Sequence, residues 1–318
     1  MNKKKVVVVN NVHGELTIEK EGIEAAGGEL VLEYPQNEDE VIAATKDADV
    51  IAFIATPITA RIINALEKCK LIIRYGVGYD NVDWKAAAER GIYVCNAQTY
   101  GTHDVGEHAA ALLMAVSKLI PQNDALIRKD GWGCAGRGVR LYGKTVGFIG
   151  LGRIARVTCS VTNGLGMKAI TYDPYVSQEI LDEYQATSVD LETLLKESDF
   201  ISVHAPLTEQ SRHMLSTEQF KMMKNTAYVI NTSRGALVDE EALIKALEDG
   251  EIAGAGLDVF EKEPIDADSK LRFMDNVVLV GHLAFNTNEA MVDLHKEVTA
   301  DIVRVLNGER PVNVVNGL

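Results

Sequence analysis

At 318 residues the chain is longer than one hydrophobic core usually organises, which points to two domains. A hydrophobic fraction of 47% and a charged fraction of 25% are those of an ordinary globular protein. With 32 Lys and Arg against 46 Asp and Glu, the net charge of −14 argues against nucleic acid or an anionic membrane as the main partner.

The first run, Val6–Val9, follows three lysines as in a signal peptide, but it is shorter than the roughly 7–15 apolar residues such a peptide needs. It reads as a buried strand. Further short runs follow at Leu30–Tyr34, Val50–Ile54, Leu71–Arg74 and Tyr93–Asn96. Beyond a long helical stretch come Thr145–Ile149, Ala169–Tyr172, Phe200–His204, Ala227–Asn231, Ala253–Asp258 and Val277–Val280. Rich in Val and Ile and without strict alternation, they suit parallel strands covered on both faces, joined by helices as βαβ units. None approaches the ~20 apolar residues of a membrane span. Cys69, Cys95, Cys134 and Cys159 lie scattered, with no CxxC pair and no zinc spacing, so they read as reduced thiols of a cytoplasmic protein without a bound metal.

The stretch Tyr100–Ile120 breaks the rhythm. Thr102 reads as an N-cap, Asp104 and Glu107 as early acids, and Lys118 with Pro121 as the stop of one long helix. Ala, Leu and Met on most of its faces suggest a helix buried all round or lying in a subunit interface. A domain boundary is expected here, giving one domain from residues 1–99 with 287–318 and another from 100–286.

Within the second domain, Lys144-TVGFIGLGRIAR reads as strand, glycine-rich turn and helix start. Gly150, Gly152 and Ala155 fill a G-x-G-x-x-G/A pattern: a tight turn, a close backbone approach to a pyrophosphate, and close helix–strand packing. Glycine-rich turns also occur outside nucleotide sites. Here, however, a second strand closes on Asp173, 23 residues beyond Gly150, where an acid binds ribose hydroxyls in dinucleotide folds. A carboxylate there repels a 2′-phosphate, so NAD is expected over NADP.

Three later segments each follow a strand, where ligands gather in open α/β sheets: NTSRG with Arg234, LDVFEKEP with Asp258 at the strand end and Glu263 before its proline, and VGHLAF with His282. Singly, they pass as a surface cation, a loop acid and a loop histidine; together they suggest a catalytic set. Of the other histidines, His204 reads as a shaping residue and His108 as structural or interfacial. His13, His103, His213 and His295 have no partner that the sequence identifies.

From Ile72 (IIRYGVGYDNVDWKAAAERGIYVCNA) through GFIGLGRIA, DPY, VHAPLT and NTSRG to DVFEKEP and GHLA, the chain resembles the D-isomer-specific 2-hydroxyacid dehydrogenases along its whole length. That resemblance implies an α/β fold of two Rossmann-like, doubly wound parallel-sheet domains, the cofactor domain inserted within the substrate domain. It implies NAD as cofactor, a small 2-hydroxy or 2-keto acid as substrate, and a homodimer through the helix near 102–118. It makes Arg234 the group that binds the substrate carboxylate, His282 the acid/base and Glu263 its orienting partner. The cofactor would meet Gly150, Gly152, Arg153, Ile154 and Asp173. It would also meet His204, Ala205, Pro206, Thr232, Ser233, Asp258, His282 and Ala284. The substrate would meet Arg74, Tyr75, Gly76, Val77 and Gly78 as well as Arg234.

Within that family, RYGVGYDNVD and RPVNVVNGL resemble the 3-phosphoglycerate and hydroxypyruvate branch. Yet the segment FIATPIT (Phe53 to Thr59) lacks the arginine those phosphoglycerate enzymes carry, and no C-terminal regulatory domain follows. An unphosphorylated acid such as hydroxypyruvate or glyoxylate is therefore expected. Tyr79, Tyr100 and Trp132, with Tyr75, are candidates to narrow the pocket. QTYGTHDVGEHAAALL also resembles the C-terminal-binding protein group, whose members sense NAD(H) and bind proteins. A formate dehydrogenase-like relative is disfavoured, because Glu263 stands where that enzyme has glutamine.

Overall fold

A computed structural model describes residues 3–318, apart from the side chain of Asp130; Met1 and Asn2, the start of the basic flank, lie outside the described residues. The chain divides into two compact units. One comprises everything described up to Gly101 together with Thr287–Leu318, and the other is Thr102–Asn286. Among the described residues no helix is long and apolar enough to cross a membrane, and no group of three metal-ligating side chains gathers.

The first unit is built on five parallel strands: β1 (Lys4–Val9), β2 (Gly28–Glu33), β3 (Val50–Phe53), β4 (Leu71–Arg74) and β5 (Tyr93–Asn96), in the order β2-β1-β3-β4-β5. The run of four valines divides by alternation. Val7 and Val9 join Ile51, Phe53 and Ile72 on one face, while Val6 and Val8 join Leu71 and Ile73 on the other. Each valine taken wholly out of water contributes ~1.5–3 kcal/mol, so both faces drive the fold. The second face is covered by the returning helix Asn288–Leu306 through Leu294, Val298 and Ile302. Thr287 caps that helix by accepting from Ala290 N. Three turns on, the Glu297 carboxylate accepts from the backbone amides of Gln98, Thr99 and Tyr100 and from the Thr99 hydroxyl.

The second unit holds seven parallel strands: β6 (Thr145–Ile149), β7 (Lys168–Tyr172), β8 (Ala186–Ser188), β9 (Phe200–Val203), β10 (Tyr228–Asn231), β11 (Gly254–Leu257) and β12 (Val277–Leu279). Their order is β12-β11-β10-β9-β6-β7-β8. The chain winds outward from β6 to β8, then returns to lay β9 against β6 and winds the other way. That reversal opens a crevice beyond the ends of β6 and β9, where such sheets bind ligands. Only β8 was not foreseen: three residues at a sheet edge, two of them exposed, carry no apolar run.

The long helix runs Thr102–Lys118, so Thr102 is its first residue rather than its cap. The expectation that it is buried all round needs correcting for this unit. Ala109, Leu112, Leu113 and Val116 pack against β6, β9 and β10 residues such as Phe148, Phe200 and Ile230, while His103, Glu107, Ala111 and Lys118 form an exposed stripe.

Candidate active site

The glycine-rich turn leaves β6 with Gly150 at a φ of +86°, a conformation that strains any other residue. A Cβ on Gly150 would also lie 3.3 Å from the backbone at His204 and Ala205, so the turn is pressed against the exit of β9. Gly152 caps the helix Arg153–Gly164 without a side-chain hydrogen bond, and a Cβ there would meet nothing within 4 Å. The helix start therefore offers open space at Gly152, as a pyrophosphate needs, while Ala155 is fully buried beneath it. Asp173 ends β7 and does more than the sequence suggested. Its Oδ2 accepts from Leu151 N at 2.8 Å and its Oδ1 from Tyr175 N at 2.9 Å, so it ties the glycine-rich turn to the neighbouring strand. Each oxygen keeps a lone pair for a ribose hydroxyl.

Beyond β9 and β10 the chain is stitched loop to loop. Ser233 Oγ donates to the Ala205 carbonyl at 2.8 Å, Ser211 Oγ donates to the Pro206 carbonyl at 2.7 Å, and Asn231 Nδ2 donates to the Arg234 carbonyl at 2.9 Å. Thr232 is nearly buried, and its hydroxyl has no hydrogen-bond partner among the described residues. An orphaned polar atom here fits a bound polar group, in line with the nicotinamide end of a dinucleotide. His204 pairs its Nε2 with Ser202 Oγ at 2.8 Å, and burial pushes its pKa down to about 4, so the ring is neutral. Between pH 6.5 and 4 the unfolded chain takes up a proton that the folded one refuses; stability should fall by up to ~3 kcal/mol as the pH drops through that window. A His204→Asn variant is expected to show a shallower loss between pH 7 and pH 4.5 in urea titrations. An unchanged slope would mean that His204 is not the group responsible.

Arg234, Glu263 and His282 come from three loops that the fold draws together. Gly235 makes the approach possible: a Cβ there would sit 1.9 Å from the Phe260 carbonyl carbon, so no larger residue fits between these loops. Next to that contact, Phe260 N donates to Glu263 Oε1 at 3.1 Å, and His282 Nδ1 lies 2.7 Å from Glu263 Oε2. Burial works to raise the Glu263 pKa, but the His282 and Phe260 hydrogen bonds, with the charge of Arg234, hold it below the ordinary value. The carboxylate therefore stays ionised, fixes Nδ1 as the donor, and leaves Nε2 for chemistry. His282 itself occupies the left-handed region at a φ of +58°.

That strained residue is held by Asp258. The Asp258 carbonyl accepts from His282 N at 2.7 Å, its Oδ1 from Leu283 N at 2.8 Å, and its Oδ2 from Ala284 N at 3.1 Å. Asp258, expected at the cofactor, is 1% exposed and grips the backbone around the histidine. His108 stands 3.9 Å from the same carboxylate. The exposed His213 pairs with Glu261, a partner the sequence did not reveal.

After β4 the first unit carries the loop Gly76–Gly78, which is tied down through its carbonyls. The carbonyls of Gly76, Val77 and Gly78 are all turned inward, accepting from Ala97 N, Asn96 Nδ2 and Arg74 Nη1. The amides of these three residues make no hydrogen bond among the described residues and so present a row of donors. Arg74 also donates from Nε to the Ile54 carbonyl at 3.0 Å, which makes it the brace of this loop. Tyr75 needs correction as a pocket residue. It is 3% exposed, on the opposite side of the chain from Arg74, and its hydroxyl donates to buried Glu19 at 2.9 Å. Tyr79 is partly buried against the β3 side of the core, and Trp132 is 90% exposed.

A family model described as D-isomer specific 2-hydroxyacid dehydrogenase, NAD binding domain, matches residues 110–284. A glyoxylate reductase of Korarchaeum cryptofilum is 41% identical over 290 residues, 89% of this chain and 87% of that protein. A D-3-phosphoglycerate dehydrogenase of Methanocaldococcus jannaschii is 40% identical over 292 residues, 91% of this chain but 56% of that protein. Among solved structures, D-lactate dehydrogenase from Aquifex aeolicus complexed with NAD and lactic acid superposes with a TM-score of 0.86 at 27% identity, covering 96% of each chain.

Proposed function

The chain belongs to the D-isomer specific 2-hydroxyacid dehydrogenase family and is an NAD(H)-dependent oxidoreductase, and on that premise we propose that it reduces glyoxylate or hydroxypyruvate, unphosphorylated acids of two or three carbons. The observation that carries the chemistry is the Glu263–His282 pair at 2.7 Å, with Nε2 left for a reacting oxygen.

Bound NADH supplies the hydride that C2 of the keto acid accepts. The helix start at Gly152, Arg153 and Ile154 would hold its pyrophosphate, Asp173 its ribose, and the Ala205 and Thr232 loops its nicotinamide half. The Asp173 carboxylate favours NADH by repelling a 2′-phosphate. Arg234 binds the substrate carboxylate through its planar fork and draws electron density from the carbonyl. His282 Nε2 delivers a proton to the C2 oxygen as it becomes an alcohol, and ionised Glu263 orients the ring for that transfer. The Gly76–Gly78 loop of the first unit is read as a further carboxylate-binding element in its own right. The choice against a phosphorylated acid rests on residues 54–59, which hold no cation to meet a phosphate. The reading also takes the protein to be a cytoplasmic homodimer through the helix Thr102–Lys118.

The test is NADH oxidation against glyoxylate, hydroxypyruvate, pyruvate, 2-ketoisocaproate, phenylpyruvate and phosphohydroxypyruvate. Turnover of about 1 s⁻¹ or more is expected on glyoxylate or hydroxypyruvate. A preference for phosphohydroxypyruvate or phenylpyruvate would overturn the substrate assignment. Tight NADH binding with feeble turnover of every acid would instead favour an NAD(H)-sensing binding role.

A further inference from the structure

Apart from the residues proposed for hydride transfer, the first unit buries a second cluster of titratable groups. Glu19, on the helix Thr17–Ala25, is 0% exposed, yet it carries a carboxylate. Its Oε1 lies 2.5 Å from His295 Nδ1 and accepts from the Tyr75 hydroxyl at 2.9 Å; its Oε2 has no partner among the described residues. Tyr75 and His295 are 3% and 8% exposed, their rings 5.9 Å apart, and the His13 ring stands 6.0 Å from Tyr75 and 6.3 Å from His295. Burial, then the charge and hydrogen bond of Glu19, push the Tyr75 pKa well up, so the phenol stays a donor.

A buried carboxylate of this kind is costly. Desolvation costs several kcal/mol per ion, and apolar side chains of the same volume often stabilise a core as well or better. What the cluster does that leucine and phenylalanine would not is hold one side chain at one height. That side chain is Tyr75, the residue immediately before the Gly76–Gly78 loop. The loop is braced at its far end by Arg74 on the Gly78 carbonyl, and Gly76 itself has a φ of +138°. A loop with that backbone and no strand pairing of its own is as well placed as its two ends.

We propose that Glu19, His295 and Tyr75 form a buried positioning network that fixes the start of the Gly76–Gly78 loop and so sets its affinity for the keto-acid carboxylate. This rests on the reading of that loop as a carboxylate-binding element. None of the three touches the substrate; they act through the backbone at Tyr75. Their loss therefore weakens ground-state and transition-state binding alike, which raises KM and spares kcat.

The experiment compares Tyr75→Phe, His295→Gln and Gly76→Ala with the parent enzyme, recording Tm, KM for NADH, and KM and kcat for glyoxylate and hydroxypyruvate. Tyr75→Phe keeps the ring and removes only the hydroxyl. It is expected to raise the keto-acid KM about tenfold, ~1.4 kcal/mol, with kcat within twofold and KM for NADH unchanged; His295→Gln should act in the same direction. Gly76→Ala places a Cβ 2.7 Å from Arg74 Nη1 and should raise the same KM by more. If Gly76→Ala raises KM while Tyr75→Phe and His295→Gln lower only Tm, the network is merely structural and the positioning role falls alone. If Gly76→Ala also leaves KM unchanged, the loop is not the carboxylate element, and the positioning role falls together with that reading.

Discussion

Replacing His282 with glutamine is expected to lower kcat for keto-acid reduction about 10³-fold, while NADH affinity stays within a factor of two. Glutamine can still receive or give a hydrogen bond near Glu263, but it has no proton to release at the position of Nε2. The C2 oxygen must then be protonated by water, which forfeits most of what general acid catalysis supplies. The loss should appear in single-turnover rates as well as in the steady state, because it concerns the chemical step. A variant that kept even a tenth of the parental kcat would remove His282 from the mechanism and leave the Glu263–His282 pair as a surface ion pair, which its side-chain exposures of 37% and 39% would then suit. Fluorescence quenching by NADH, measured on the same preparation, separates this result from simple misfolding.

The second large effect is expected at Arg234. Arg234→Lys keeps the positive charge but loses the fork that matches a carboxylate with two parallel hydrogen bonds. A fall in kcat/KM of about 10³-fold is expected, ~4 kcal/mol, shared between KM and kcat because the same group is proposed to bind the carboxylate and polarise the carbonyl. Lysine would also lack the planar head whose Nη1 now donates to the Ser233 carbonyl at 2.8 Å, so part of the loss would come from a wandering side chain. Should kcat/KM survive the change within tenfold, the carboxylate must be read elsewhere, and the amides at Gly76–Gly78 become the principal binders.

Much of this was open to inspection in the sequence, for identifiable reasons. Val6–Val9 could be recognised as a buried strand because a short β-branched run has few other places to go. The glycine-rich turn and Asp173 obeyed a spacing. What escaped depends on contacts between distant segments. The grip of Asp258 on Leu283 and Ala284 involves backbone amides, which look alike at every residue. The pairing of Glu19 with His295 requires that the helix Thr17–Ala25 pack on the helix Asn288–Leu306, and nothing local to either residue announces it. Tyr75 was misjudged because proximity to a functional glycine loop says nothing about direction. Successive side chains leave an extended chain on opposite sides, and when Arg74 turns to the loop, Tyr75 turns to the core.

The helix Asn288–Leu306 has a further consequence, for the order in which the molecule can be made. It fills one face of the first sheet with Leu294, Val298 and Ile302, and through Glu297 it holds the segment Gln98–Tyr100 by which the chain departs for the second unit. On a ribosome working from the N-terminus, β1 to β5 emerge first, but their covering helix emerges only after the whole of Thr102–Asn286 has been synthesised. The unit that starts first must therefore wait, with the apolar face of Val6, Val8, Leu71 and Ile73 uncovered, until the unit that starts second is complete. Chaperone demand during synthesis should accordingly fall on strands β1 to β5, whose covering helix arrives only after the second unit has been made.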